Sequence, residues 1–185
     1  LQAGKQVLFE GAQGMLLDVD LGTFPYVTST AVGVAGIGMS GISLREGDRV
    51  ILVGKAYTTR VGEGPFPTEM LGADGVALRE KGKEFGTTTG RPRRCGWLDA
   101  VGLRYALRVS GADELVLTKL DALSGLAEIR TGMRYRLGKE SYDEFPIGVP
   151  GLERVEVEYE THGGWSEDLS SARSWEELPA AARAY

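Results

Sequence analysis

The sequence predicts an α/β fold, and three observations carry that reading. Short apolar runs end in loops rich in glycine, hydroxyl and charged side chains; a helical apolar stripe stands among them; and the last third of the chain changes to strict alternation. Val7, Leu8 and Phe9 form the first run, continuous and short as in a strand buried on both faces of a parallel sheet. Glu114, Leu115, Val116 and Leu117 form another. Leu98, Val101, Gly102, Tyr105, Ala106 and Val109 recur at three- and four-residue spacing, the apolar face of an amphipathic helix. Ile129, Thr131, Met133, Tyr135 and Leu137 alternate with Glu128, Arg130, Gly132, Arg134 and Arg136, the pattern of a half-exposed strand.

In chain order, the first run leads into Glu10, Gly11, Ala12, Gln13 and Gly14, a loop at the carboxyl end of a strand, where open α/β sheets place ligands. The Gln13 amide can read the edge of a base or hold a carbonyl oxygen; capping its own loop is the plainer alternative. Residues 18–30 are rich in hydroxyls and turn formers, and Thr28, Ser29 and Thr30 can donate to a phosphate or serve ordinary turn chemistry. Residues 33–41 read as a mobile, glycine-rich surface loop. The apolar run in residues 49–60 is not settled by periodicity, and we read it as helix passing into strand. Residues 61–69 alternate glycine with proline, which stiffens a loop able to wall a pocket.

Residues 84–98 are the most informative stretch. Thr87, Thr88 and Thr89 sit between Gly86 and Gly90, and Arg91, Arg93 and Arg94 follow around Pro92, just before the helical stripe. Glycines let a backbone approach a ligand, hydroxyls donate, and guanidinium forks pair with carboxylate or phosphate. Arginines ahead of a helix N-terminus face the positive end of its dipole, an unfavourable placement that a bound anion compensates. A solvated basic loop is the competing reading.

The strand at Glu114 to Leu117 ends in Thr118, Lys119, Leu120 and Asp121. An aspartate there can accept from guanine N1–H and the exocyclic amine together, while a lysine stem covers the base; a polar strand end at the solvent edge is the alternative. Val155, Val157 and Tyr159 alternate with Glu156, Glu158 and Glu160. Pairing that strand antiparallel with the one at 128–137 sets arginines against glutamates, a structural role. His162 lies in a Thr-His-Gly-Gly-Trp loop without a carboxylate or cysteine cluster around it, so no metal site is expected. Ser174 and Glu177 read as a capping box that opens a last helix.

With 185 residues, 42% hydrophobic and 25% charged, the chain can bury a sizeable core and reads as one globular unit. A net charge of −5 without a recurring basic stripe argues against nucleic acid as a partner. A single cysteine, Cys95, leaves no internal disulfide and suits a reducing compartment. With no apolar run of spanning length and no signal peptide, a soluble cytoplasmic protein without a membrane partner is the expectation. The chain opens on Leu1 and stops at Tyr185 in an apparent helix, so it reads as a fragment of a larger fold.

Six segments in order, residues 10–14, 25–29, 56–62, 64–69, 84–98 and 118–121, closely resemble adenylosuccinate synthetase. That family joins IMP and L-aspartate using GTP and Mg²⁺: the 6-oxygen of IMP is phosphorylated, and the aspartate amine displaces the phosphate. The resemblance implies a P-loop-NTPase-like, mostly parallel sheet flanked by helices, a small antiparallel element near the C-terminus, and a homodimer that shares sites. Residues 1–124 would form the nucleotide- and aspartate-binding part and residues 125–185 the antiparallel strands and terminal helix. By matching positions, Gln13 would meet the IMP base near its reacting oxygen, Thr28 the 5′-phosphate, and Val61 and Arg91 the ribose. Thr87, Thr88, Thr89, Gly90, Arg91, Pro92 and Arg93 would form the loop over aspartate. Arg93, Lys119, Leu120 and Asp121 would serve GTP.

The family's N-terminal Gly-Asp-Glu-Gly-Lys-Gly-Lys phosphate loop, with its catalytic aspartate and Mg²⁺ ligand, is absent from these residues. So are the catalytic histidine that follows it and the C-terminal Ser-Thr-Gly-Pro segment. Residues 31–43 depart from the family pattern, and Pro92 stands where arginine is frequent. The isolated chain is therefore expected to be inactive, without catalytic residues or metal ligands of its own. A non-catalytic nucleotide-binding or assembly module is the alternative reading.

Overall fold

The computed structural model describes Gly4 and residues 6–87, 90–148 and 150–185. In order, it contains a single helical turn α1 (Ala35–Gly38), strands β1 (Ile51–Lys55) and β2 (Thr58–Arg60), helix α2 (Ala73–Gly82), strands β3 (Arg94–Gly96) and β4 (Leu98–Asp99), helix α3 (Ala100–Ser110), strands β5 (Glu114–Thr118), β6 (Glu128–Leu137), β7 (Glu140–Tyr142) and β8 (Glu156–Gly163), and a terminal helix α4 (Ala180–Ala184). The fold is α/β, as the sequence predicts. Its strand pairing is mixed: β1 runs parallel to β5, β2 antiparallel to β3, and β6 takes β4 in parallel and β7 and β8 antiparallel.

Helix α3 keeps the predicted stripe but starts two residues late. Leu98 and Asp99 pair with Thr131 and Gly132 of β6, and the Asp99 carboxylate then caps the helix, accepting from the Gly102 amide at 3.0 Å. Val101 and Tyr105 bury that stripe against Tyr135 and Phe145. The arginines at 91–94 therefore lead into strand β3, whose first residue is Arg94, and an acidic cap stands at the helix N-terminus in their place. The dipole conflict expected from the sequence is absent because β3 and β4 separate the loop from α3.

The antiparallel expectation at the C-terminal end holds. Arg134 lies opposite Glu158 and Arg136 opposite Glu156, and both arginines pair with the Glu158 carboxylate. Ile129, Thr131 and Tyr135 are buried on the other face. A bulge falls between Gly132 and Arg134, where a Cβ on Gly132 would stand 2.7 Å from the Thr68 side chain, so close packing requires glycine.

Four local expectations are overturned. Val7, Leu8 and Phe9 form no strand and are exposed, Leu8 to 89%. A strand needs a neighbour to take its backbone hydrogen bonds, and none pairs with this run among the described residues. Residues 51–55 are a strand, not a helix: a parallel partner at 114–118 decides the state, which local periodicity cannot reveal. His162 sits inside β8, where its Nε2 lies 3.2 Å from the Thr131 hydroxyl. The last helix begins after Pro179, because residues before a proline avoid helical φ and ψ; Glu177 accepts instead from the Arg173 amide at 2.7 Å. The segment 33–41, read from the sequence as a mobile, glycine-rich surface loop, contains the single turn α1.

Candidate functional site

The loop read as an anion grip is built on a buried carboxylate. Glu84, 1% exposed, follows the left-handed C-cap of α2 at Lys83. Its Oε1 accepts from Tyr57 OH at 2.6 Å and Lys55 Nζ at 2.8 Å, and its Oε2 from Lys55 Nζ at 2.8 Å and Arg93 Nη1 at 2.7 Å. Burial opposes its charge, and the bonds from Lys55, Tyr57 and Arg93 overcome that, holding the carboxyl below its ordinary range. Burial likewise lowers the Lys55 ammonium, only partly offset by Glu84, and raises the Tyr57 phenol. Cys95 beneath the loop is buried, with its thiol pushed up to about 11 by that burial and by Glu84, so it behaves as core rather than as a nucleophile.

Above this root the chain makes a tight, exposed tip. The Arg93 amide donates to the Glu84 carbonyl, the Gly86 amide to Arg91, and the Gly90 amide to Gly86, with Phe85 bridged to Pro92. Gly90 closes the tip at φ 63°, a conformation that glycine adopts without strain. Thr87, Gly90, Arg91 and Pro92 are exposed there, while Thr88 and Thr89 lie outside the described residues.

Arg60, and Arg94 of the arginine cluster, to neither of which the sequence reading gave a ligand, join the neighbouring loops to this one. Arg60 and Arg94 face each other across β2 and β3. Buried Arg60 donates to the Thr23 hydroxyl at 2.8 Å, the Tyr26 carbonyl at 3.1 Å and the Glu63 carbonyl at 2.9 Å; burial and then the charge of Arg94 bring its pKa down to about 10. Arg94 donates to Glu69 at 2.8 Å and to the Gly62 and Gly64 carbonyls. The loop carrying Val61 is thereby pinned beside Arg93 and Arg94, and the segment leading to Thr28 beside Gly64. The only sequence signal was a row of arginines at strand positions, which does not reveal that they face one another.

The segment before Thr28 is organised by Asp18, also unforeseen. Its buried carboxylate accepts from the amides of Asp20 and Leu21 at 3.0 and 2.9 Å and of Val32 at 2.6 Å. The Thr28 hydroxyl donates to the Leu17 carbonyl at 3.1 Å, the turn chemistry named as its alternative. Gln13 is exposed, with φ at 65°.

At the carboxyl end of β5, Lys119 also has φ at 65°, and its ammonium donates to the Gly82 carbonyl at 2.9 Å. Leu120 and Asp121 open a 3₁₀ turn, and exposed Asp121 makes no side-chain hydrogen bond or ion pair among the described residues. A cleft of about 700 Å³ opens beside it, lined by Leu117, Lys119 and Asp121 on one side and Arg173, Trp175 and Leu178 on the other. Among the described residues three non-glycine residues have positive φ, and two of them, Gln13 and Lys119, belong to the predicted site. Such strain clusters at ligand-binding positions.

A cationic loop over a buried carboxylate, and a strand-end lysine and aspartate beside a cleft, are the candidate site of this α/β protein. The family described as adenylosuccinate synthetase matches residues 1–185, and the chain belongs to it. It is 56% identical to the adenylosuccinate synthetase of Desulforudis audaxviator over 100% of this chain and 43% of that protein, and 54% identical to that of Salinibacter ruber over 100% and 42%. A fully ligated adenylosuccinate synthetase from Plasmodium falciparum superposes with a TM-score of 0.87 at 44% identity, covering 98% of this chain and 44% of that one. The chain thus spans less than half the length of these relatives. No helix among the described residues is long and apolar enough to cross a membrane.

Proposed function

We propose that this chain supplies the IMP, aspartate and guanine contacts of a GTP-dependent ligase that forms adenylosuccinate in purine biosynthesis. The observation that carries the reading is the family match along all 185 residues. In this reading Gln13 holds the IMP base at its reacting oxygen, Thr28 turns its hydroxyl to the 5′-phosphate, and Val61 and Arg91 meet the ribose. Residues 87–93 close over aspartate, with Arg91 and Arg93 pairing its carboxylates. Lys119 covers the guanine plane, Leu120 continues the contact, Asp121 accepts from the N1–H and the amine, and Arg93 reaches the nucleotide. Residues 1–124 are the binding part and 125–185 its support. The parallel pair β1 and β5 is the segment of a P-loop-NTPase-like sheet that this chain contributes, and the protein acts as a cytoplasmic homodimer.

Phosphorylation turns the 6-oxygen into a leaving group, the aspartate amine displaces it, and phosphate departs; the residues here orient the partners rather than exchange protons. GTP is used with Mg²⁺. Among the described residues no group of three or more histidine, cysteine or acidic side chains gathers to hold a metal ion, so no step is assigned to the metal in this chain.

Calorimetric titration of the 185-residue chain, together with turnover by the protein at its natural length, tests the reading. GTP and IMP are expected to bind and ATP not, and the natural-length protein is expected to form adenylosuccinate from IMP, aspartate and GTP. Binding without turnover at natural length would instead establish a nucleotide-binding module, and neither would sink the reading altogether.

A further inference from the structure

Glu84 carries an ion network that the proposed ligand contacts leave unused. Its two oxygens join three places in the chain: Lys55 at the carboxyl end of β1, Tyr57 just after it, and Arg93 on the return limb of the loop. Oε2 serves Lys55 and Arg93 together, at 2.8 and 2.7 Å. One negative charge thus faces two positive ones, and the root of the loop keeps a positive excess toward an incoming anion.

The contact also fixes geometry. Glu84 meets Arg93 through Nη1 alone; a guanidinium has five N–H donors, so most of the fork is left for a ligand. The Arg93 backbone is pinned as well, its amide on the Glu84 carbonyl at 3.0 Å and its carbonyl accepting from Arg79 Nε at 2.6 Å. On the opposite side Lys55 stands level with Thr118 in the parallel pair, one residue before Lys119. The carboxyl end of β1 and the loop therefore meet at one buried carboxylate, with the carboxyl end of β5 paired beside β1.

We propose that Glu84 is a positioning residue for the ligase reaction, holding the Arg93 guanidinium for the dicarboxylate substrate and, through Lys55, tying that loop to the strand end with the guanine contacts. The inference rests on the function proposed above. Steady-state kinetics of the natural-length protein test it with Glu84→Gln, Arg93→Gln and the double variant. Glu84→Gln is expected to raise KM for aspartate about tenfold or more, the scale of a hydrogen bond to a charged group, with kcat and KM for IMP within about twofold. The double variant is expected to be no worse than Arg93→Gln alone, since residues acting as a unit are not additive. A carboxylate that only fills space would lower kcat and multiply with Arg93→Gln, and that result overturns the proposal.

Lys55→Met keeps the Glu84 and Arg93 pair and supplies the second arm if Glu84→Gln does not fold. It is expected to raise KM for GTP more than KM for aspartate; equal changes overturn the link to the strand end. A wild-type protein that forms no adenylosuccinate overturns the functional reading and this inference together, whereas an active wild type with additive variants overturns the inference alone.

Discussion

The β6 to β8 ribbon and the β1 to β5 pair are both sheets, yet they meet solvent in opposite ways. The antiparallel ribbon buries Ile129 and Tyr135 completely and lays its arginines against glutamates on the other face. The parallel pair leaves Val53 67% exposed and Leu115, Val116 and Leu117 more than 40% or about 40% exposed, with Lys55 and Lys119 at its carboxyl end. The ribbon satisfies itself within this chain and supplies stability. Within these 185 residues the parallel pair contributes little burial, and its strand ends carry the charged groups of the candidate site, so burial and the candidate ligand groups fall on different sheets.

The sharpest way to break this contrast is truncation on each sheet. Tyr135→Ala removes a fully buried ring and leaves buried Asp99 without its phenol donor, at an expected cost of about 4 kcal/mol. Val53→Ala, on the exposed pair, is expected to change stability by less than about 0.5 kcal/mol. Urea unfolding of both variants measures the difference; equal costs would erase the distinction between the sheets.

The next effect belongs to the loop root. At neutral pH, Glu84→Gln leaves Lys55 and Arg93 without their anion and is expected to cost about 3 kcal/mol. Because the folded-state pKa of Glu84 lies below its ordinary 4.5, its contribution is full above that value and lost as pH falls through the lower folded value. Urea midpoints of wild type and variant are therefore expected to converge as pH falls below that lowered value and to separate toward neutrality. A gap that persists in acid would mean that Glu84 acts by shape rather than charge. The smallest effect is on the ribbon's surface: Arg136→Ala breaks an exposed pair with Glu158 and is expected to cost about 0.5 kcal/mol or less, fading in high salt.

Legibility from sequence followed the range of the deciding interaction. The α3 stripe and the alternation of β6 and β8 are local periods, and they survive into the structure with only a shifted helix start. The arginine and glutamate faces were also readable, because strand alternation assigns every side chain a face before any partner is known. Residues 51–55 were misread because their state depends on a partner about sixty residues away, and Val7, Leu8 and Phe9 because an apolar run without a neighbour remains a run. Of the candidate site, the loop and the lysine and aspartate after β5 were visible as motifs. Arg60, Asp18 and Lys55 were not, since an isolated charge in a sequence does not show whether it is buried or what it faces, and Arg94 was visible only as a member of the arginine cluster.

The sequence by itself determined the fold class, the family, and the residue types that can grip an anion and a base, because composition, period and ordered motifs are properties of the chain alone. Only the tertiary structure decided that Glu84 is the buried anchor of the loop, that Arg60 and Arg94 pin the adjoining loops, and that Gln13 and Lys119 are held at positive φ. The first two depend on groups distant in sequence whose charges and donors are balanced only once the chain has folded, and the third on a backbone conformation that the sequence does not show.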